Sequence, residues 1–78
     1  MNGKEKILAR FATHLTRVRR ERGYSIRQLA AASGLEYSQV QRIEKGKVNL
    51  AFTTLVALAQ GLDLDIHILL EDFKPPKI

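Results

Sequence analysis

Residues 26–45 read IRQLAAASGLEYSQVQRIEK, and the spacing of their small and apolar residues predicts two short helices joined by a tight turn. Ala30 carries only a methyl group, which lets two helices cross closely. Gly34, four residues later, can adopt the left-handed backbone conformation that such a turn requires. Val40 and Ile43 then supply an apolar face with which the second helix packs on the first.

The residues at the ends of these two helices indicate their boundaries. Ser25 and Gln28 have the spacing of a capping box, in which each side chain bonds the other residue's backbone amide, so we expect the first helix to begin after Ser25. The second helix is predicted from about Tyr37 to Lys45, and Gly46 ends it. Its polar residues are Ser38, Gln41, Arg42 and Lys45.

Helices are also predicted on both sides of this pair. Between about Lys6 and Arg22, apolar residues recur every three or four positions, the period of a helix with one buried face, and Gly23 ends this first helix. Asn49 is placed to cap a fourth helix. The apolar residues of these two helices are Ile7, Leu8, Phe11, Leu15, Val18, Phe52, Leu55, Val56, Leu58 and Ala59.

Residues 62–68, LDLDIHI, fit two structures. Their alternation of apolar and polar residues is typical of a strand, which could pair with the same strand of a second copy. Alternatively, Asp65 caps a short fifth helix that runs from Ile66 to Glu71. We favour the helix, so the predicted fold is all-α, a compact domain of five helices.

Length and composition fit one small domain. A chain of 78 residues leaves room for a single core, which we place in residues 6–73, between a flexible N-terminus at 1–5 and a proline-containing tail at 74–78. The chain has no cysteine to form disulfides, and small domains without such links often gain stability by oligomerising. No apolar stretch could span a membrane and no signal peptide is visible, so we expect a cytoplasmic protein.

Neither a catalytic site nor a cofactor or metal site is expected. His14 and His67 are the only histidines and lie more than fifty residues apart, so each is expected to be a surface or packed side chain. The five glycines form neither a dinucleotide fingerprint nor a phosphate loop. The serines lack an arrangement of histidine and carboxylate, and so small a chain has little room for a substrate cleft.

Positive charge is concentrated in the first part of the chain. The net charge is +5, but residues 1–50 hold eleven Lys or Arg against four acidic residues, whereas residues 51–78 hold two against four. Such an asymmetry gives the first part a surface that attracts polyanions such as DNA. A solvated basic helix face would show the same count, so charge alone leaves both interpretations open.

Taken together, these motifs resemble the phage-repressor and Cro-like (XRE-type) helix-turn-helix transcription regulators, whose domains have five helices. The resemblance covers about residues 11–73. Its segments are RRERGYS at 19–25, QLA at 28–30, SGL at 33–35 and RIEKG at 42–46, followed by Asn49, Thr54-Leu55 and Leu58-Ala59. It implies a lambda-repressor-like domain whose second helix of the pair, the recognition helix, enters the major groove of double-stranded DNA.

The resemblance also implies roles for particular residues. Candidates for contacts with DNA bases are Tyr37, Ser38, Gln41 and Arg42 near the start of the recognition helix, with Glu36 as an acceptor for a cytosine amino group. Candidates for phosphate contacts are Arg27, Lys45 and Lys47. In relatives, the residues at the positions of Arg19 and Glu44 form a buried ion pair, although two separately solvated charges remain the alternative.

Two residues depart from the family pattern. Ile26 stands where many members have a glutamine that touches a backbone phosphate, so that contact must be missing here. Glu36 stands where a Ser or Thr cap is usual, and its charge would repel phosphate, although it can interact favourably with the helix N-terminus. The expected contacts with DNA therefore differ in part from those of relatives.

The predicted function is sequence-specific DNA binding by a dimeric transcription regulator. We expect this regulator to be a repressor that binds a pseudo-palindromic site. A two-fold dimer would present its recognition helices to half-sites roughly 34 Å apart. Its expected interface is an apolar set larger than the core requires, unless the core uses all of it: Leu62, Leu64, Ile66, Ile68, Leu69, Leu70 and Phe73.

Other roles stay open at this point. The sequence does not distinguish a phage repressor from a restriction-modification controller or from an antitoxin, whose partner would be a toxin. The rival from another class is a protein-interaction module in which the basic face is incidental. Ile26 and Glu36 are the residues that favour it, because both weaken the expected contacts with phosphate.

Overall fold

The structure, a computed structural model, describes residues 3–71 and 73, which form five α-helices without a strand. The helices are α1 (Gly3–Glu21), α2 (Ile26–Ser33), α3 (Tyr37–Glu44), α4 (Phe52–Gly61) and α5 (Ile66–Leu69). The all-α prediction is confirmed. The ambiguous residues 62–68 form a turn and most of α5 rather than a strand. The predicted tail at 74–78 lies outside the described residues.

One apolar core joins the five helices. α2 packs against both α3 and α4, while α1 packs against α3 and α5. Val40 and Ile43 are almost fully buried, as the spacing predicts for the inner face of α3. The other large side chains buried to the same degree are Leu15, Leu29, Leu58, Leu62 and Leu69.

The local signals at the helix pair are confirmed. The hydroxyl of Ser25 accepts the backbone N–H of Gln28 at 3.0 Å, and the Gln28 side-chain oxygen accepts the backbone N–H of Ser25 at 2.8 Å, which completes the capping box. Gly34 follows α2 with φ +70° in the left-handed region. The backbone N–H of Leu35 then bonds the Ala30 carbonyl at 2.9 Å, which closes the end of α2.

Several predicted helix ends are displaced. α1 begins at Gly3, ahead of the expected start near Lys6. α4 begins at Phe52 with Ala51 at its N-cap, so the prediction that Asn49 caps it is wrong. Val48 and Leu50 on either side of Asn49 pack against the core, which holds this segment as a connection rather than as the first turn of a helix.

The short fifth helix also differs in detail from its prediction. Asp65 occupies the N-cap position of α5, but its side chain makes no capping hydrogen bond. The helix ends at Leu69 rather than at Glu71. Leu69 is fully buried, so packing of this side chain, rather than a cap, stabilises α5.

The contact of α2 with α4 depends on a glycine. A Cβ atom added at Gly61 would lie 3.0 Å from the backbone nitrogen of Ser33 and closer still to its hydroxyl. A side chain at this position would therefore push the two helices apart. Because α3 packs against α2, this close approach of α2 and α4 also helps to fix the position of α3.

Candidate nucleic-acid interface

The outer face of α3 is polar and exposed. Val40 and Ile43 turn towards the core, and this orientation leaves Tyr37, Ser38 and Arg42 exposed. The structure thus brings together at the surface three of the side chains that the resemblance assigns to DNA bases. Gln41, on the same helix, is half-buried.

Glu36 occupies the N-cap position of α3, but its side chain accepts no hydrogen bond from the helix backbone. The residue is exposed and has extended backbone angles, φ −72° and ψ 145°. The first N–H groups of α3 therefore lack the side-chain cap that Ser25 provides for α2. The carboxylate beside this helix end is free to accept a hydrogen bond from a base amino group.

An aromatic contact joins the start of α2 to the start of α3. The guanidinium carbon of Arg27 lies 4.7 Å from the centroid of the Tyr37 ring, within the range of a cation–π interaction. The sequence assigned these residues to separate roles, one for phosphate and one for bases. Nothing in the sequence predicts their contact, because it depends on how the turn folds the two helices together.

Arg19 and Glu44 form a buried ion pair between α1 and the end of α3. The Nε–Oε2 distance is 2.6 Å, and the exposed fractions of the two side chains are 8% and 6%. Arg19 also donates from Nη2 to Oε1 at 3.0 Å and from Nη1 to the Tyr24 carbonyl at 2.6 Å. The hydroxyl of Thr16, a residue that no sequence motif marks, donates to Oε1 at 2.9 Å. Both charges are therefore well supplied with partners.

The candidate phosphate-contacting lysines lie after α3. Lys45 is the C-cap of that helix, Lys47 follows Gly46, and both lysines are exposed. Gly46 has φ +72°, and a Cβ atom there would lie 3.3 Å from the Ala9 Cα atom, so the backbone of this turn rests on α1. The close approach fixes the point from which the two lysines extend.

Ile26 and His14, two further residues that the sequence singles out, pack inside the domain. Ile26 is half-buried against the core. His14 is almost fully buried and its Nε2 donates to the Ile68 carbonyl at 2.6 Å, which agrees with the prediction of a packed side chain. Within residues 3–71 and 73, no group of His, Asp or Glu could hold a metal ion, and no helix is long and apolar enough to cross a bilayer.

Comparisons with known proteins agree with this architecture. The helix-turn-helix (HTH_3) family model matches residues 15–69. The restriction-modification controller protein C.AhdI from Aeromonas hydrophila is 33% identical, with a TM-score of 0.80 over 82% of this chain and 97% of its own. No curated protein sequence matches at a significant level.

Two further solved structures share the fold at lower identity. A HTH_3 family transcriptional regulator from Vibrio cholerae has a TM-score of 0.84 at 23% identity, over 90% of this chain and 39% of its own. The restriction-modification controller protein C.Esp1396I has a TM-score of 0.75 at 22% identity, over 90% of this chain and 95% of its own. With the family model matching most of its length, this chain belongs to the XRE-type helix-turn-helix (HTH_3) family.

Proposed function

We propose that this protein is a transcription regulator that binds double-stranded DNA in a sequence-specific way, with α3 as the recognition helix in the major groove. The observation that carries the proposal is the exposed polar face at the start of α3, which lies next to exposed basic residues of α2 and of the turn after α3. The similarity to a restriction-modification controller, over 97% of the controller's length, supports the same conclusion.

The exposed side chains of α3 have the chemistry to distinguish bases. Arg42 can donate two hydrogen bonds to a guanine, Ser38 can bond either a donor or an acceptor, and the Tyr37 ring can contact a thymine methyl. Gln41 is able to bond adenine if its half-buried side chain turns outward, and Glu36 can accept from cytosine. A good bidentate contact discriminates between bases by about 1–3 kcal/mol.

The phosphate contacts come from both ends of the helix pair. Arg27 lies in the first turn of α2, whereas Lys45 and Lys47 lie just beyond α3. Their side chains are exposed and can reach the backbone on either side of the groove that α3 occupies. These contacts fix the register of the helix without reading the sequence.

We further propose that the protein acts as a homodimeric repressor, through a smaller interface than the sequence predicts. The core uses most of the apolar set at 62–73, and Leu70 is the exposed member among the described residues. Leu70 and Ile7, exposed by 39% and 56%, line one apolar groove with Phe73. A dimer through this groove would be broken by Leu70→Lys, which light scattering after gel filtration detects as a change from dimer to monomer mass.

The proposed function is tested by fluorescence anisotropy with a random-sequence duplex at several salt concentrations. We expect an affinity that falls steeply with salt, because each phosphate contact releases counterions. Selection from a random DNA library should then yield a two-fold symmetric motif with half-sites about one helical turn apart. Absence of binding at low salt would contradict the proposal and would favour the protein-interaction module.

A further inference from the structure

A shallow groove lies between the C-terminal end of α1 and the start of α2. Its lining residues are Arg19, Arg20, Ser25, Ile26, Arg27 and Tyr37. The helix pair alone does not contain this groove, because Arg19 and Arg20 belong to α1. Within residues 3–71 and 73, no acidic side chain lines it, although the chain as a whole has eight acidic residues.

The three arginines of this groove are in different electrostatic states. The charge of Arg19 is compensated by Glu44 inside the protein. Arg20 and Arg27 are exposed, and within the described part of the chain neither forms an ion pair. The groove therefore carries two uncompensated positive charges that come from different helices.

Arg27 is held in a position that suits an anion. Its guanidinium carbon lies over the Tyr37 ring, 4.7 Å from the centroid, so the ring limits the positions that the side chain can adopt. A guanidinium can donate two parallel hydrogen bonds to phosphate oxygens. The contact with Tyr37 also reduces the side-chain freedom that Arg27 would lose on binding.

The remaining arginine of the groove and the capping serine beside it are already engaged within the protein. The Ser25 hydroxyl and backbone N–H take part in the capping box, and the Ile26 side chain has no donor. Arg19 donates to Glu44 and to the Tyr24 carbonyl. Among the described lining residues, the charged donors left for a ligand are those of Arg20 and Arg27, and both are suited to a phosphate; the Tyr37 and Ser25 hydroxyls are neutral donors at the same groove.

A neighbouring groove on the other side of Arg20 is less suitable for an anion. It is lined by Thr13, Thr16, Arg17, Arg20, Glu21 and Glu44. Glu21 is exposed there, and its carboxylate would repel a phosphate. The difference in acidic lining assigns the anion to the groove that contains Arg27.

We infer that Arg20 and Arg27 together hold one phosphate of the DNA backbone in this groove, so that α1 contributes to DNA binding from outside the helix-turn-helix. The inference rests on the proposed function and adds Arg20 of α1 to the phosphate contact that the proposed function gives to Arg27.

The first experiment compares Arg20→Gln with Arg10→Gln. Both residues are exposed arginines of α1, but Arg10 does not line the groove. Anisotropy titrations use a random-sequence duplex of about two to three helical turns, because a phosphate contact carries no sequence information. We expect Arg20→Gln to weaken binding about fivefold at low salt and Arg10→Gln to weaken it less than about twofold. Equal effects of the two substitutions would overturn the inference.

The double variant Arg20→Gln/Arg27→Gln tests whether the two side chains share a phosphate. Loss of one phosphate contact lowers the slope of log affinity against log salt by about 0.9, whereas loss of two contacts lowers it by about 1.8. We expect a decrease of about 0.9 per subunit for the double variant, together with weaker binding than that of Arg27→Gln alone. A decrease of about 1.8, or an affinity equal to that of Arg27→Gln, would contradict a shared site.

The outcomes separate this inference from the proposed function. If the unmodified protein binds the duplex and Arg20→Gln behaves like Arg10→Gln, only the inference fails. If the unmodified protein binds no duplex at low salt, the proposed function fails as well. Circular dichroism and melting of each variant check the fold, which glutamine should preserve because it is a good helix former.

Discussion

Arg19 and Arg20 are adjacent in sequence, and yet the structure gives them opposite environments. Arg19 is buried and bonded to Glu44 and to a backbone carbonyl, whereas Arg20 is exposed and lines, with Arg27, a groove to which the described residues contribute no acidic side chain. Successive residues of a helix point about 100° apart, so one step along α1 moves a guanidinium from the core to the surface. A count of basic residues thus combines charges that stabilise the fold with charges that are available for DNA.

The two environments predict different responses to substitution. At the Arg19–Glu44 pair, loss of one partner strands a buried charge and should lower stability without a specific effect on DNA binding. At the Arg20–Arg27 groove, loss of a charge should lower DNA affinity and leave stability almost unchanged. Measurements of both properties on the same variants therefore test the comparison.

The largest expected effect is that of Glu44→Ala. This substitution leaves the buried Arg19 guanidinium without its carboxylate, and we expect a loss of about 3–5 kcal/mol in the free energy of unfolding. Urea denaturation followed by circular dichroism measures the change, with Glu21→Ala at an exposed position of α1 as the control. An unchanged melting temperature for Glu44→Ala would show that the pair does not stabilise the fold.

A smaller effect is expected for Thr16→Val, which keeps the shape of the side chain but removes its hydroxyl. Glu44 loses one hydrogen bond and keeps its two from Arg19. We expect a decrease of about 0.5–1.5 kcal/mol in the free energy of unfolding, by the same urea assay. A decrease as large as that of Glu44→Ala would mean that Arg19 is not the principal partner of the carboxylate.

Tyr37→Leu removes the aromatic ring on which Arg27 stacks. The loss of an exposed cation–π contact should reduce stability by about 0.5–1 kcal/mol. DNA affinity should fall as well, because Arg27 loses the ring that limits its position and α3 loses a side chain proposed to contact bases. Tyr37→Phe is the matched control, since it keeps the ring and should retain the stability. Equal destabilisation by Leu and Phe would exclude a stabilising role for the stacking.

The smallest effect on stability is expected for Arg20→Gln. Because this exposed side chain forms no ion pair with a described residue, the substitution should change the free energy of unfolding by no more than about 0.5 kcal/mol. The same variant should nevertheless lose affinity for DNA, as argued above. Thermal melting would contradict this assignment if Arg20→Gln destabilised the protein as strongly as Glu44→Ala.

The features that the sequence predicts correctly depend on local chemistry. The capping box at Ser25 and Gln28 and the left-handed turn at Gly34 each follow from residues a few positions apart. The buried positions Val40 and Ile43 follow from helical spacing in the same way. These signals are enough to predict the helix pair and most of the five-helix fold.

The features that the sequence does not predict depend on contacts between distant segments. Asn49 has the chemistry of a cap, but the packing of its neighbours against the core displaces the start of α4 to Phe52. The stacking of Arg27 on Tyr37 and the groove beside Arg20 exist only once α1, α2 and α3 are assembled. The resemblance predicts that Arg19 is buried with Glu44, but nothing in the sequence indicates what lies beside Arg20.

The salt dependence of DNA binding by the unmodified protein tests the account most directly. The proposed contacts comprise one phosphate at Arg20 and Arg27, one at Lys45 and one at Lys47, which together predict a slope of about −2.7 per subunit for log affinity against log salt, or roughly −5 for a dimer. Anisotropy with a random-sequence duplex measures this slope. A slope near that value agrees with the account, whereas no binding at low salt, or binding that salt leaves unchanged, would contradict it.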